Sequence, residues 1–248
     1  MKPLHSKLHL YLLAFAMVIS TQTFGQEALD TRGLVRSSAR VEVRTDLVAA
    51  VAKAPFKDGA RFKKGAKLIT FDCSRYRAEL NSARAGASAA AIELRNKRRL
   101  FKNGAAGKSE VQLARAEAAR NNAEVKARLS RVSQCVIKAP FAGRVVVLNT
   151  RKYEMPNASK PVIIILDDSA LELELVVPSN WLVWLEPGRE FLFKVDETGK
   201  THPAKIVSIG AEVDPVSQTI KAYGVLLETN GRVLAGMSGQ ARFSPKGS

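Results

Sequence analysis

Carboxylates are scarce in this chain, whose 248 residues hold 23 Asp and Glu against 39 Lys and Arg, a formal net charge of +16. Histidine and cysteine are scarcer still, at three and two residues. His5 and His9 lie near the start, which leaves His202 alone in the remainder. One isolated imidazole cannot assemble a Ser-His-Asp set, and it offers no cluster of nitrogen or sulfur ligands for a metal. Met237, beside Gly236, reads as packing before it reads as a ligand. No Gly-x-x-x-x-Gly-Lys-Ser phosphate loop occurs. Long hydrophobic runs are missing too. Leu8 to Ile19 spans roughly 12 residues broken by His9, and a membrane-spanning helix needs about 20. These absences read against an enzyme, and no cofactor or metal is expected.

The flanks of that apolar run decide its use. Lys2 and Lys7 make a short basic region before it, and Thr23-Phe24-Gly25 offers small residues for cleavage before Gln26, so residues 1–25 read as a secretory signal peptide. No Cys follows directly for lipid attachment. The mature chain is expected to be exported, soluble and peripheral, with room for two small domains and an appendage. In a cytosolic protein so basic a balance would suggest nucleic acid. Behind a signal peptide nucleic acid is not expected, and the excess points to acidic protein surfaces or anionic lipid headgroups.

Two distant segments read as halves of one small β-domain. They are Lys57-Asp58-Gly59-Ala60-Arg61-Phe62-Lys63-Lys64-Gly65-Ala66-Lys67-Leu68-Ile69-Thr70-Phe71-Asp72 and Ile137-Lys138-Ala139-Pro140-Phe141-Ala142-Gly143-Arg144-Val145. Gly59, Gly65 and Gly143 are expected to supply turns between short strands. The alanine-rich, charged stretch between the halves is helical by periodicity. From Ser74 as N-cap, Tyr76, Leu80, Ala83, Ala87, Ala90, Leu94 and Phe101 keep a three-four spacing broken only at Lys97. Two glycines mark a tip at Lys102-Asn103-Gly104-Ala105-Ala106-Gly107-Lys108. Ser109 with Gln112 predicts a capping box for a return helix. That helix carries Val111, Ala114, Ala118, Val125, Leu129 and Val132, with Asn122 in the seam. Between Ser74 and Val132 fourteen Lys or Arg face five Glu, crowding the tip at Arg95, Lys97, Arg98, Arg99, Lys102 and Lys108. A solvated helix face is the plain reading of such a run, and docking is the functional one.

A β-domain split by a helical hairpin resembles the periplasmic adaptors of tripartite exporters, the membrane fusion protein or HlyD-like family, with the adaptors of resistance-nodulation-division (RND) efflux pumps as the nearest in pattern. The likeness covers nearly all of the chain after its signal segment. It implies a mixed α+β, mainly β fold: a split lipoyl-like β-sandwich interrupted by an α-helical coiled-coil hairpin, then a small β-barrel. The implied divisions are a signal peptide at 1–25, an N-terminal extension at 26–40, the first half of the lipoyl-like domain at 41–73, the hairpin at 74–133, the second half at 134–168 and the barrel at 169–248. Implied partners are an inner-membrane transporter (an RND pump first, an ABC exporter second), a TolC-like outer-membrane channel and further copies of the chain in a homo-oligomer. The implied place is the periplasm, at the inner membrane through the transporter, and the implied role is transmembrane export of small molecules.

Carried onto the tip, the resemblance implies channel docking by Arg98, Leu100, Lys102, Gly104, Gly107 and Ser109. The run Leu100-Phe101-Lys102-Asn103-Gly104-Ala105 is similar to the family's tip sequence. Such adaptors carry an Arg, a Leu and a Ser at set spacing. Leu100 fits, Gly107 and Ser109 compete for the Ser place, and Asn96 stands where the Arg is expected, beside Arg95. Many members add a membrane-proximal β-domain built from both chain ends, and the expectation here is a shortened adaptor without one. Lipoyl and biotinyl carriers share the split β-domain but present one Lys at its central turn. The hairpin occupies that junction here, and neither Asp-Lys-Ala nor Met-Lys-Met occurs. The alternative from another class is a periplasmic structural or regulatory protein that reuses the adaptor fold without forming a conduit.

Cys73 precedes the first helix and Cys135 follows the second, so an antiparallel hairpin brings them together at its base. An exported chain allows a disulfide there, which would close a loop of about 60 residues and stabilise the fold by roughly 4 kcal/mol. The other reading is two buried free thiols. Beyond the second half-motif, Val162 to Leu166 reads as a buried strand, and Leu171 to Val177 alternates as a strand with one wet face. Further strands are expected at residues 190–195, 204–209, 219–227 and 239–243, with a short helical turn at 181–185. Trp181 and Trp184 are expected to plug one barrel end. The segments most similar to the family's barrel run from Asp214 to Ile220, through Thr219, and from Leu234 to Gly239, through Gly236 and Met237.

Overall fold

A computed structural model describes residues 29–228 and 233–244. The expected signal segment at 1–25 lies outside the described residues, as does Asn230-Gly231, a turn pair in the sequence between the strands expected at 219–227 and 239–243. In chain order the elements are β1 (Leu29–Ser37), β2 (Arg40–Val43), β3 (Val51–Lys53), β4 (Arg61–Phe62), β5 (Lys67–Phe71), α1 (Ser74–Lys102), α2 (Lys108–Ser133), β6 (Val136–Lys138), β7 (Gly143–Leu148), β8 (Ile163–Leu166), β9 (Leu171–Pro178), a 3-10 helix (Ser179–Val183), β10 (Glu190–Val195), β11 (Thr201–Asp214), β12 (Thr219–Leu226) and β13 (Ser238–Phe243). The fold is mainly β, with two long helices.

Two tight turns cut the first half-motif into short strands. Ala60 N–H donates to the Lys57 carbonyl at 3.0 Å and Ala66 N–H to the Lys63 carbonyl at 3.1 Å. Each turn needs a left-handed residue, supplied by Gly59 at φ +78° and Gly65 at φ +79°. Gly143 is not a turn glycine. It opens β7, and a Cβ there would strike the Leu166 carbonyl oxygen, so its role is close approach of two backbones.

Strands from both halves of the chain interleave in two sheets, β2-β8-β7-β4 and β3-β5-β6. One core fills the space between them, with Leu47, Val51, Leu68, Ile69, Phe71, Val145, Ile163 and Ile165 buried. β5 before the helices pairs with β6 after them, Thr70 opposite Val136. Neither half can bury its apolar face without the other, so the inserted helices leave and return at one place.

Those helices run side by side, with Leu80, Ala87, Ala114 and Ala118 buried along them and Tyr76 buried at the root in the sandwich core. Four local details differ from the sequence reading. Ser74 is the first helical residue and not the cap, its N–H being held by Asp72 Oδ1 at 3.1 Å. The return helix is capped by Gly107 with Glu110, not Ser109 with Gln112, because it starts at Lys108. Asn121, not Asn122, faces the seam, opposite the gap left by Gly86. Phe101 and Leu129 are exposed, because the seam ends short of both helix ends.

The remaining strands close a six-stranded barrel in the order β1-β13-β10-β11-β12-β9. Alternation along β9 and β10 sends Leu173, Leu175, Val177, Phe191, Phe193 and Val195 inward, each buried. Burying one such side chain contributes roughly 1.5–3 kcal/mol. β1 is the strand that the sequence reading leaves in an extension at 26–40. It pairs with β13 through Leu29 and Phe243, and with β9 through Val35 and Leu173. Its pattern hides the strand, since only Val35 is fully buried and Gly33 stands where an inward side chain would be. A Cβ on Gly33 would lie 2.9 Å from Phe193 Cε2, and one on Gly239, its cross-strand partner, 2.6 Å from Phe193 Cζ. The Phe193 ring therefore lies over two glycines. β11 also runs five residues past the expected end at 209, through a bulge in which Ile209 to Val213 stands opposite Ala222 to Ile220, before it reaches Asp214 opposite Thr219.

Candidate docking surfaces

The tip is built by helix endings. α1 closes through Gly104 N–H to the Phe101 carbonyl at 3.0 Å and Ala105 N–H to the Leu100 carbonyl at 2.9 Å, with Gly104 at φ +73°. α2 opens with Gly107 N–H donating to Glu110 Oε1 at 3.0 Å. The second oxygen of Glu110 accepts Lys97 Nζ at 2.6 Å. Lys97, which breaks the apolar spacing of α1, is thus the cross-helix partner of the return helix's first turn. The ammonium beside it and the Gly107 N–H hold the Glu110 carboxyl below its ordinary value, and the same hydrogen bond holds Lys97 above its own.

Arg98, Leu100, Lys102, Gly104, Gly107 and Ser109 are all exposed. Lys102, Gly104, Gly107 and Ser109 sit at the blunt end, beside Leu100 at 39% exposure and Phe101 at 47%. Gly107 serves the start of α2. Asn96 Oδ1 accepts a bond from Arg99 at 3.4 Å. Along the shaft Arg75 and Arg128 pair with Glu79, Arg128 also with Glu124, Arg120 with Glu117 and Arg131 with Asp46, whereas Arg77, Arg84, Arg115 and Lys126 form no ion pair among the described residues. Arg95, Arg98, Arg99, Lys102 and Lys108 form no ion pair among the described residues, and the blunt end carries unneutralised positive charge.

The hairpin root is clamped. Cys73 Sγ and Cys135 Sγ are bonded at 2.06 Å, their Cα atoms 6.1 Å apart, and both residues are buried. Arg131 reaches Asp46 at 2.6 Å and lowers that carboxyl's pKa. The Tyr76 hydroxyl accepts Val48 N–H at 3.3 Å. Hairpin and sandwich are joined by covalent, ionic and hydrogen-bonded links within one turn of helix.

In the barrel, Asp214 Oδ1 accepts the N–H groups of Val216 at 2.9 Å and Ser217 at 3.0 Å, which fixes the β11–β12 turn and lowers the Asp214 pKa. Thr219 is its partner across the strands, and its Oγ1 lies 2.8 Å from Ser217 Oγ. Gly236, at φ +96°, donates its N–H to the Val35 carbonyl at 2.7 Å, and Val35 N–H donates to the Met237 carbonyl at 2.8 Å. The segment from Leu234 to Met237 therefore clips the closing strand β1. Trp181 and Trp184 pack on Phe243, ring centroids 5.5 and 5.7 Å away, and fill one end of the barrel core. His202 is buried, its Nδ1 3.3 Å from the Glu228 carbonyl. Among the described residues no three His, Cys, Asp or Glu are grouped to hold a metal ion, and no helix is long and apolar enough to cross a membrane.

No protein-family model matches the chain. An uncharacterized protein of Haemophilus influenzae is 23% identical over 218 residues, covering 87% of this chain, and the chain spans 57% of the length of that relative. Among solved structures, a MacA–MexA chimera carrying the Pseudomonas aeruginosa MexA α-hairpin domain is similar at TM-score 0.74 and 20% identity, over 88% of this chain and 80% of that one. The membrane fusion protein Spr0693 of Streptococcus pneumoniae is similar at TM-score 0.73 and 16% identity, over 88% of this chain and 99% of that one. MacA of Actinobacillus actinomycetemcomitans follows at TM-score 0.65 and 19% identity, over 88% and 79%. The resemblance drawn from the split β-domain thus holds at the level of structure, and the chain has the fold of the membrane fusion proteins, the HlyD-like adaptors.

Proposed function

We propose that this chain is the periplasmic adaptor of a tripartite export system, a non-enzyme that joins an inner-membrane transporter to a TolC-like outer-membrane channel. Small molecules would then cross the periplasm inside an assembly without release. The observation that carries the reading is the interruption of one β-sandwich by helices of 29 and 26 residues, with a closed barrel beyond. In this reading the sandwich is lipoyl-like, and the hairpin is a coiled-coil spacer whose alanine seam lets two helices approach closely. At ~1.5 Å per residue it makes a rod of roughly 40 Å.

A signal peptide at 1–25 delivers the chain, the barrel faces the transporter, and the tip at Arg98, Leu100, Lys102, Gly104, Gly107 and Ser109 faces the channel. Several copies side by side form the conduit, and the transporter supplies the energy. An RND pump is the first partner, on the likeness of the Asp214–Ile220 and Leu234–Gly239 segments, and an ABC exporter the second. Deleting the chain should raise intracellular retention of at least one exported compound, and a plasmid-borne copy should restore export. Unchanged accumulation across a broad panel of dyes, detergents and antibiotics would contradict the reading and leave a structural protein that reuses the fold.

A further inference from the structure

Lys67 on β5 and Lys138 on β6 stand directly opposite each other across an antiparallel ladder. Like charges so placed destabilise a strand pair. Two further lysines, Lys63 and Lys64, occupy the turn that feeds β5. That turn is tied to the Lys138 strand, with Gly65 N–H donating to the Ala139 carbonyl at 2.8 Å and Ala139 N–H donating back to Ala66 at 2.9 Å. Four ammonium groups therefore crowd one corner of the sandwich, at the end of β5 away from Phe71 and the hairpin root.

Nothing nearby neutralises them. All four are exposed, and the lysine ion pairs among the described residues are those of Lys97 and Lys221. The segments 59–71 and 125–153 contain no Asp or Glu. The acidic residues flanking the first segment are engaged elsewhere, Asp58 Oδ1 with Leu148 N–H at 2.8 Å and Asp72 Oδ1 with Ser74 N–H at 3.1 Å. A protein interface would want an apolar anchor at its centre. No exposed large apolar side chain falls between Ala49 and Ala91 or between Ser130 and Lys152. Lysine is also a point charge on a flexible stem, suited to a diffuse layer of phosphates more than to one planar, bidentate anion.

We infer that this lysine corner is a contact for an anionic lipid surface, the phosphodiester headgroups of the membrane beside which an exported, peripheral protein works. A sheet of negative charge relieves the repulsion between Lys67 and Lys138, and the attraction grows with each lysine and fades with salt. The corner stands on its own geometry and needs neither transporter nor channel, so its failure and that of the export reading are separate results.

The test is co-sedimentation of the mature chain with vesicles of phosphatidylcholine, with and without phosphatidylglycerol. Binding is expected only with phosphatidylglycerol, and it should weaken as salt rises. The variant Lys63→Gln/Lys64→Gln/Lys67→Gln/Lys138→Gln should lose at least about tenfold in affinity. A variant of equal charge, Lys152→Gln/Lys194→Gln/Lys200→Gln/Lys205→Gln, should keep most of it. Lys67→Gln alone should raise the melting temperature while weakening binding, two changes of opposite sign that a purely structural lysine would not give. Equal loss in both quadruple variants, binding that ignores phosphatidylglycerol, or capture of soluble polyglutamate with no vesicle binding would each overturn the inference.

Discussion

Lys97 Nζ lies 2.6 Å from Glu110 Oε2, so the one residue that interrupts the apolar stripe of α1 is bonded to the carboxylate that caps α2. Seen along α1 alone, Lys97 is a flaw in a hydrophobic repeat. Across the hairpin it is the link that closes the tip.

That link gives the tip a pH window. Glu110 is held below its ordinary value, so its contribution is present above about pH 4.3 and is lost as pH falls through the depressed folded-state value. Lys97 is held above its own, so its contribution is present below about pH 10.4 and is lost as pH rises further. Amide protection factors at residues 104–111, which correct for the intrinsic pH dependence of exchange, should therefore be high at neutral pH and fall in acid. Glu110→Gln should lower protection at neutral pH and remove its fall in acid. Wild-type protection that stays flat through the acid range would refute the link.

Cys73 and Cys135 should appear as one linked peptide in non-reducing mass spectrometry of the protein isolated with its free thiols blocked. The Cys73→Ala/Cys135→Ala variant should lose about 2–5 kcal/mol of stability. Two alkylatable thiols in that material would contradict the bond.

The two glycines beneath Phe193 give an ordering. Gly33→Ala overlaps only the side chains of Leu175 and Phe193, which can shift, and touches the Glu174 carbonyl oxygen at an ordinary contact distance, so it should cost about 1–3 kcal/mol. Gly239→Ala also meets the Lys194 carbonyl oxygen, which the sheet holds in place, and should cost more. Urea unfolding of both variants checks this. Costs below about 0.5 kcal/mol for both, or the reverse order, would contradict the packing described.

At the tip, Arg98→Glu/Arg99→Glu/Lys102→Glu/Lys108→Glu should leave the melting temperature nearly unchanged, because none of these cations is paired. The same variant should fail to restore export in a deletion strain. Full restoration would remove the charged tip from the docking surface.

The chain declared its layers through periodicity. The three-four spacing from Tyr76 to Leu94 and the strict alternation of Leu171 to Val177 each describe a stripe of side chains entering a core, and both stripes are buried or half-buried as the spacing requires. What it hid were elements whose inward face is small or whose partners are distant. β1 has a glycine facing Phe193 and pairs with strands more than 130 residues away, so neither composition nor spacing marks it. The end of β11 is held by β12 alone and leaves no apolar trace. Likewise the Ser109-Gln112 pattern lost to Glu110, because α2 starts at Lys108 and puts Glu110, bonded to Gly107 N–H and to Lys97, in the capping position.

The most direct test of the adaptor reading is in-cell cross-linking of the tagged protein, followed by purification and identification of its partners. An inner-membrane transporter recovered together with an outer-membrane channel is the expected result. A protein that cross-links only to itself, or to envelope proteins of neither kind, would contradict it.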